Sequence, residues 1–219
     1  MKDRYSIAVA LLFLVVIGVA AVHTLSGDSG EDTLGIDRQP ANWPLPEFAV
    51  PEAAGELEGD ANVVQDDCES AAVPCPADAE REPACRITTA ESIRVCDLFN
   101  RPLVISFWFD KGSDCASQQD VVEQVYRRMR GRVNFLSLDV RDDRDTVREL
   151  IRQHGWTMPV GYDRDGAVAA LFRVGLCPTF AYVFPGGTLQ SSSFSEISAQ
   201  QLEQHVRELL AATAAAEAS

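Results

Sequence analysis

Apolar runs of strand length recur through the C-terminal half of the chain. The run LVISFWF at 103–109 is continuously apolar, which is typical of a central strand buried on both faces. Shorter runs predict a second strand at 133–139, a third at 179–184 and a fourth at 188–192. The Pro-Gly-Gly sequence at 185–187 predicts a tight turn between the last two strands.

Apolar residues at helical spacing lie between these predicted strands and after the last of them. This spacing predicts one helix around 121–129, a second around 147–151 and a third that begins after Ser198, which forms a capping box with Gln201. The order of elements is a βαβ unit followed by a ββα unit. We therefore expect an α/β fold in which helices flank a mixed central sheet.

The N-terminal region differs in composition from the rest of the chain. The apolar run at 7–22 follows Lys2 and Arg4, and we interpret 1–25 as an uncleaved signal anchor. A cleaved signal peptide and a buried core helix are the alternatives. The positive-inside rule then places the following residues outside the cytoplasm, and we expect a single-pass protein of the cell membrane. Disulfides persist in such a compartment.

The remaining boundaries follow from composition. Residues 26–44 are rich in Gly, Ser and Asp, and they predict a flexible tether. The folded domain is predicted over 45–211, with an acidic irregular excursion at 52–83. Residues 212–219 are Ala-rich, and we expect them to fray. Cysteines at 85 and 96 lie on segments that predict a short hairpin, 85–87 against 93–96.

The net charge of −14 is concentrated before the predicted core. Residues 26–100 hold 17 acidic and 4 basic side chains, whereas residues 101–219 hold 15 and 13. Nucleic-acid binding relies on Lys and Arg that neutralise phosphates, so this charge argues against a nucleic-acid partner. It also argues against docking on an anionic membrane surface. The acidic excursion lacks the spacing of a calcium-binding loop.

Four stretches, taken in order, resemble the thioredoxin superfamily. They are 45–48 (LPEF), 103–109 (LVISFWF), 163–166 (DRDG) and 175–180 (GLCPTF). The sequence is most similar to the TlpA/ResA-like branch of membrane-anchored thiol-disulfide oxidoreductases, which is related to the AhpC/TSA redoxins. The resemblance implies a thioredoxin-like fold with a cis-proline at Pro178.

The active-site motif departs from that family. The family carries C-x-x-C after its Phe-Trp pair, but the matching positions here are Gly112 and Cys115. A second departure is Cys177, directly before Pro178, because the family usually has another residue there. We therefore predict that Cys115 and Cys177 form the catalytic pair across the site. Lys111 adds positive charge four residues before Cys115.

The other cysteines are candidates for structural disulfides. Cys85 and Cys96 lie on the two arms of the predicted hairpin, and Cys68 and Cys75 lie in the acidic excursion. The spacings alone do not choose among the pairings. We expect no cofactor, and we expect no metal because neither a C-x-x-C motif nor a nearby histidine supports a zinc site.

Three functions are compatible with these features. The first is an extracytoplasmic thiol-disulfide oxidoreductase that acts on protein thiols, disulfides or a redox partner protein. The resemblance implies that Trp108, Lys111, Gly112 and Pro178 line its substrate groove. The second is a non-catalytic binding or scaffolding module with structural disulfides. The third is a one-cysteine peroxidase that uses Cys115, although the P-x-x-x-T-x-x-C pattern of peroxiredoxins is absent.

Overall fold

The computed structural model describes residues 35–36, 39–40, 42–57 and 83–218, with three short paired segments at 62–63, 69–70 and 73–74. The predicted anchor and most of the predicted tether and acidic excursion, including Cys68 and Cys75, lie outside the described residues. Within the described part of the chain, no helix is long and apolar enough to cross a membrane.

Five strands form the central sheet. In chain order they are β6 (Leu103–Trp108), β7 (Asn134–Asp139), β8 (Val160–Tyr162), β9 (Thr179–Phe184) and β10 (Thr188–Phe194). Their spatial order is β10-β9-β6-β7-β8. The three strands β6, β7 and β8 are parallel to one another, while β9 and β10 run antiparallel to their neighbours. The predicted mixed α/β sheet is confirmed.

Among the described residues, three α-helices connect these strands and a fourth follows β10. They are α1 (Ser117–Met129), α2 (Arg144–His154), the short α3 (Ala167–Leu171) and α4 (Ala199–Glu217). The predicted capping box of Ser198 and Gln201 is present at the start of α4. Apolar side chains of α1, α2 and α4 share one buried cluster, and those of α3 share another. Strand β6 contributes to both clusters, which explains its continuous apolar sequence.

Short strands precede the central sheet. Strand β1 (Phe48–Pro51) pairs with β2 (Asn62–Val63) and with β5 (Ser92–Arg94), while β3 (Glu69–Ser70) pairs with β4 (Val73–Pro74).

Two local predictions need correction. The segment around Cys85 and Cys96 is not a hairpin, because both cysteines lie in 3-10 turns, Ala84–Arg86 and Val95–Leu98, and β5 between them pairs with β1. The predicted fraying from residue 212 is not observed either, because α4 continues to Glu217. Thr213 is buried and its hydroxyl donates to the carbonyl of Leu209, which extends the packed part of the helix.

Candidate active site

A disulfide joins Cys115 to Cys177 at the end of β6, with the two Cα atoms 6.0 Å apart. This separation lies within the usual range for disulfides, about 4.4–6.8 Å. Cys115 immediately precedes Ala116, the N-cap residue of α1, and Cys177 precedes Pro178 through a cis peptide bond. The predicted cis bond is confirmed. The structure therefore brings together the two cysteines that the sequence predicted as a pair, although they are 62 residues apart.

The two sulfurs differ in accessibility. Cys115 is buried, with 7% of its surface exposed, and it packs among the apolar residues of the main core. Cys177 is only partly buried and lies at the edge of the same cluster. Its neighbour Leu176 is 62% exposed. An approaching thiol therefore reaches Cys177 more easily than Cys115.

Hydrogen bonds of Ser113 hold the loop between β6 and α1 in place. The Ser113 amide donates to the carbonyl of Asp110, and the Ser113 hydroxyl donates to the carbonyl of Phe109 at 2.7 Å. The same hydroxyl oxygen accepts the amide of Cys115 at 3.4 Å and lies 3.4 Å from Cys177 Sγ. Ser113 thus contacts both cysteine residues, and the sequence patterns did not single it out.

The buried carboxylate of Asp142 binds the backbone of this loop. Asp142, 6% exposed, accepts the backbone amides of Asp110 and Lys111, the latter at 2.8 Å. Asp142 follows β7, and no sequence pattern indicates its contact with a loop 31 residues earlier.

A second buried acid, Asp139, accepts a hydrogen bond from the backbone of Asp142. Its Oδ1 accepts the amides of Arg141 and Asp142, whereas Oδ2 has no hydrogen-bond partner among the described residues. Burial, reinforced by the adjacent Asp142 carboxylate, raises the pKa of Asp139 to about 8. At neutral pH Asp139 is therefore mostly protonated beneath the loop that carries Cys115.

Side chains predicted to line a substrate groove occupy different environments. Trp108 is fully buried and donates from Nε1 to the hydroxyl of Ser137 at 2.8 Å, so its side chain does not line an exposed groove. Lys111 and Gly112 are exposed in the loop, and Pro178 is buried with its carbonyl accepting the amide of Ser195. The prediction for Trp108 is wrong because β6 is covered on both faces.

Trp108 belongs to a buried polar chain under the site. The Ser137 hydroxyl donates to Gln119 Oε1 at 2.9 Å, and Gln119 Nε2 donates to the Ser106 hydroxyl at 3.0 Å. These bonds fix the first turn of α1 against β6 and β7. The position of Cys115 relative to the sheet is consequently determined by packed, hydrogen-bonded side chains.

The second disulfide joins Cys85 and Cys96, with Cα atoms 5.7 Å apart. It lies in the 3-10 turns beside β1 and β5, and both residues are partly buried. The pairing of Cys85 with Cys96, one of those that the sequence left open, is therefore observed.

Comparison with known proteins agrees with this architecture. No family model matches the sequence. The thiol-disulfide oxidoreductase ResA of Oceanobacillus iheyensis is 19% identical over 119 residues, which cover 54% of this chain. The match spans 62% of that protein, less than two thirds of its length.

Two solved structures share the fold over most of the chain. A DsbF homologue from Corynebacterium diphtheriae superposes with a TM-score of 0.54 and 17% identity, covering 75% of this chain and 85% of the homologue. A thiol:disulfide interchange protein of the thioredoxin family from Chlorobium tepidum gives a TM-score of 0.54 and 15% identity, covering 78% and 99%. The predicted thioredoxin-like fold is confirmed.

Proposed function

We propose that this chain, which has the thioredoxin-like fold and resembles the TlpA/ResA-type oxidoreductases, is a thiol-disulfide oxidoreductase whose redox centre is Cys115–Cys177. The observation that carries the proposal is the bond itself. It links the residue before the N-cap of α1 to the residue before the cis-proline, at the edge of the core. The pair replaces the C-x-x-C motif, whose first position is Gly112 here.

The accessibility of the sulfurs gives each cysteine a role. A substrate thiolate attacks the partly exposed Cys177 Sγ, the Cys115–Cys177 bond breaks, and Cys115 leaves as a thiolate. Cys115 lies at the N-terminal end of α1, where the helix dipole stabilises negative charge. The second substrate thiolate then attacks the substrate sulfur of the mixed disulfide, and Cys177 is released.

The reverse reaction follows the same path. The Cys177 thiolate attacks a substrate disulfide and forms a mixed disulfide, with one substrate sulfur leaving as a thiolate. Cys115 then attacks Cys177 Sγ, restores the internal bond and releases the second substrate thiolate. Two electrons move between substrate and protein in either direction.

The surface around Cys177 supports a polypeptide substrate. Leu176 is 62% exposed and Phe194 is 52% exposed. Phe194 pairs with Thr179, so the two apolar side chains lie near opposite ends of the segment 176–179, which contains Cys177. Large exposed apolar side chains beside a redox centre favour extended chains that carry an apolar residue near their cysteine. Protein thiols and disulfides, or a redox partner protein, are therefore the proposed partners.

The proposed location is the extracytoplasmic side of the cell membrane. The basis is the apolar run at 7–22 preceded by Lys2 and Arg4, together with the two disulfides among the described residues. The full-length protein should stay in the membrane fraction after a high-salt wash. A soluble form that begins near residue 22 would instead show a cleaved signal.

Mass spectrometry of differentially alkylated protein tests the redox centre. Under mild reduction with a dithiol, Cys115 and Cys177 should become labelled before Cys85 and Cys96, and reoxidation should remove that label. If Cys115 and Cys177 open only under denaturing conditions, the bond is structural, and the non-catalytic binding module is the better description.

A further inference from the structure

Glu47 lies beside the second disulfide. One carboxylate oxygen of Glu47 and the sulfurs of Cys85 and Cys96 all fall within 4.8 Å of one another. Glu47 is exposed, and within the described part of the chain its carboxylate makes no hydrogen bond or ion pair. The sequence did not suggest this grouping, because Glu47 precedes Cys85 by 38 residues.

The backbone holds these three residues together independently of the S–S bond. Strands β1 and β5 are antiparallel with Ala49 opposite Arg94, so Glu47, two residues before Ala49, and Cys96, two residues after Arg94, lie at the same end of this strand pair. The Arg94 guanidinium donates to the carbonyls of Cys85 and Ile87, and its charge is paired with Asp97. Reduction of the disulfide therefore leaves the cysteines close together.

We propose that the reduced Cys85–Cys96 pair and Glu47 form a binding site for one thiophilic divalent cation of the zinc class. Two thiolates and a carboxylate are ligands that zinc accepts, with Zn–S near 2.3 Å and Zn–O near 2.0 Å. Ligand atoms around a tetrahedral zinc are roughly 3.5–3.8 Å apart, so the reduced sulfurs must separate by roughly 1.8 Å from their bonded distance and the exposed Glu47 side chain must move slightly. Water fills the fourth position.

Metal binding at this site and the Cys85–Cys96 disulfide are mutually exclusive. Zinc binds cysteine as the thiolate, whereas the sulfurs of the disulfide are uncharged, poor ligands and are held about 2.0 Å apart. A dithiol reductant supplies two electrons and two protons, becomes a disulfide itself and produces two thiols on the protein. Binding of the cation then displaces both thiol protons. Oxidation and metal binding thus compete for the same two sulfurs.

Cadmium alone is a suitable probe, because cadmium–thiolate bonds absorb in the ultraviolet. The full chain is used with Cys68, Cys75, Cys115 and Cys177 replaced by serine, so that only one cysteine pair contributes. After reduction this variant should bind one cadmium ion, and the oxidised form should bind none. Absence of binding by the reduced form, confirmed folded by circular dichroism, would overturn the proposal.

Two substitutions test the ligand set in that background. Glu47→Gln should weaken cadmium binding by at least ~10-fold, since it removes a charged ligand. Glu52→Gln is the matched control, because it removes the same charge after the end of β1, and it should leave the affinity unchanged. Equal affinities for the two variants, or full binding after Cys85→Ser and Cys96→Ser, would contradict the assignment.

A second test uses the wild-type chain and therefore does not depend on the folding of the variant with four serine substitutions. Reduced wild-type protein is alkylated with and without zinc ions, and each cysteine is quantified by peptide mass spectrometry. Zinc should protect Cys85 and Cys96 from alkylation, and Glu47→Gln should reduce that protection. Equal labelling of both cysteines with and without zinc would overturn the proposal, whatever the outcome for Cys115 and Cys177.

Discussion

Ser113 Oγ lies 3.4 Å from Cys177 Sγ, although the two residues are 64 positions apart in the chain. In the disulfide form the hydroxyl donates to the carbonyl of Phe109. Rotation about the Cβ–Oγ bond of Ser113 turns the same hydroxyl hydrogen toward the sulfur once Cys177 is a thiolate. The loop thus carries a hydrogen-bond donor for the cysteine that the geometry exposes to substrate.

Removal of this hydroxyl should make Cys177 less reactive. A hydrogen bond to a charged group contributes about 1.5–3 kcal/mol, so Ser113→Ala should slow alkylation of reduced Cys177 at neutral pH by roughly 10-fold or more. Ser113→Thr keeps the hydroxyl and should restore most of the rate. Ser117→Ala, which removes a hydroxyl bonded to the carbonyl of Asp114, is the control. Identical rates for all four proteins would show that Ser113 has no such role.

Asp142 should stabilise the loop that carries Cys115. Asp142→Ala leaves the amides of Asp110 and Lys111 without their acceptor, and we expect a loss of about 2 kcal/mol in the free energy of unfolding. Asp143→Ala, at a neighbouring exposed position whose side chain does not cap α2, should cost much less. Urea unfolding of the oxidised proteins measures both. Equal losses would mean that the two amide bonds contribute little.

The buried Asp139 should make the protein less stable as the pH rises. Its pKa is about 8 in the folded state against 3.8 ordinarily, so between these values the folded protein binds more protons than the unfolded chain. The contribution of Asp139 is therefore complete below pH 3.8 and is lost as the pH rises toward 8, at up to ~1.4 kcal/mol per pH unit. Urea unfolding of the oxidised protein between pH 5 and 9 measures the slope.

The matched variant isolates this effect. Asp139→Asn cannot ionise, so the fall in stability between pH 5 and 8 should be smaller than in the wild type. The exposed Asp165→Asn should keep the wild-type slope. Glu123 does not interfere: burial opposes its ionisation, but hydrogen bonds from Thr157 and Met158 lower its pKa, so it titrates below this window. An unchanged slope in Asp139→Asn would refute the assignment.

Gly112 offers a test by gain of function. It has φ of +84°, and no heavy atom lies within 4 Å of where a Cβ would be placed, so a side chain fits but the backbone disfavours it. Gly112→Ala should therefore cost about 1 kcal/mol in stability. Gly112→Cys should bear a similar cost but create a C-x-x-C pair with Cys115 and reduce a model protein disulfide faster than wild type. Equal rates for the two variants would refute this expectation.

The sequence was most informative where local and long-range preferences agree. The apolar run of β6 predicted a strand covered on both faces, and the Ser198–Gln201 box located the start of α4. It was least informative for short elements. Strand β8 has three residues and α3 has five, which is too few for a periodic pattern. The turns at Cys85 and Cys96 depend on pairing with β1, which lies more than 30 residues earlier.

The candidate site was predictable in part. The order of motifs located Cys115 and Cys177, because both follow from comparison with a known pattern. The contacts of Ser113 and Asp142 were not predictable, since they join a loop to residues 31 to 64 positions away. The environment of Trp108 was misjudged because an aromatic residue next to a loop gives no indication of which face of the sheet buries it.

The most direct test of the account is mixed-disulfide trapping by two single variants. Because Cys177 is the accessible sulfur and Cys115 is buried, Cys115→Ser should form a stable mixed disulfide with a model substrate through Cys177. Cys177→Ser should trap little, and the double variant should trap nothing. Trapping by Cys177→Ser instead would reverse the assigned roles of the two cysteines. Absence of trapping by both single variants would contradict the proposal that Cys115–Cys177 is a redox centre.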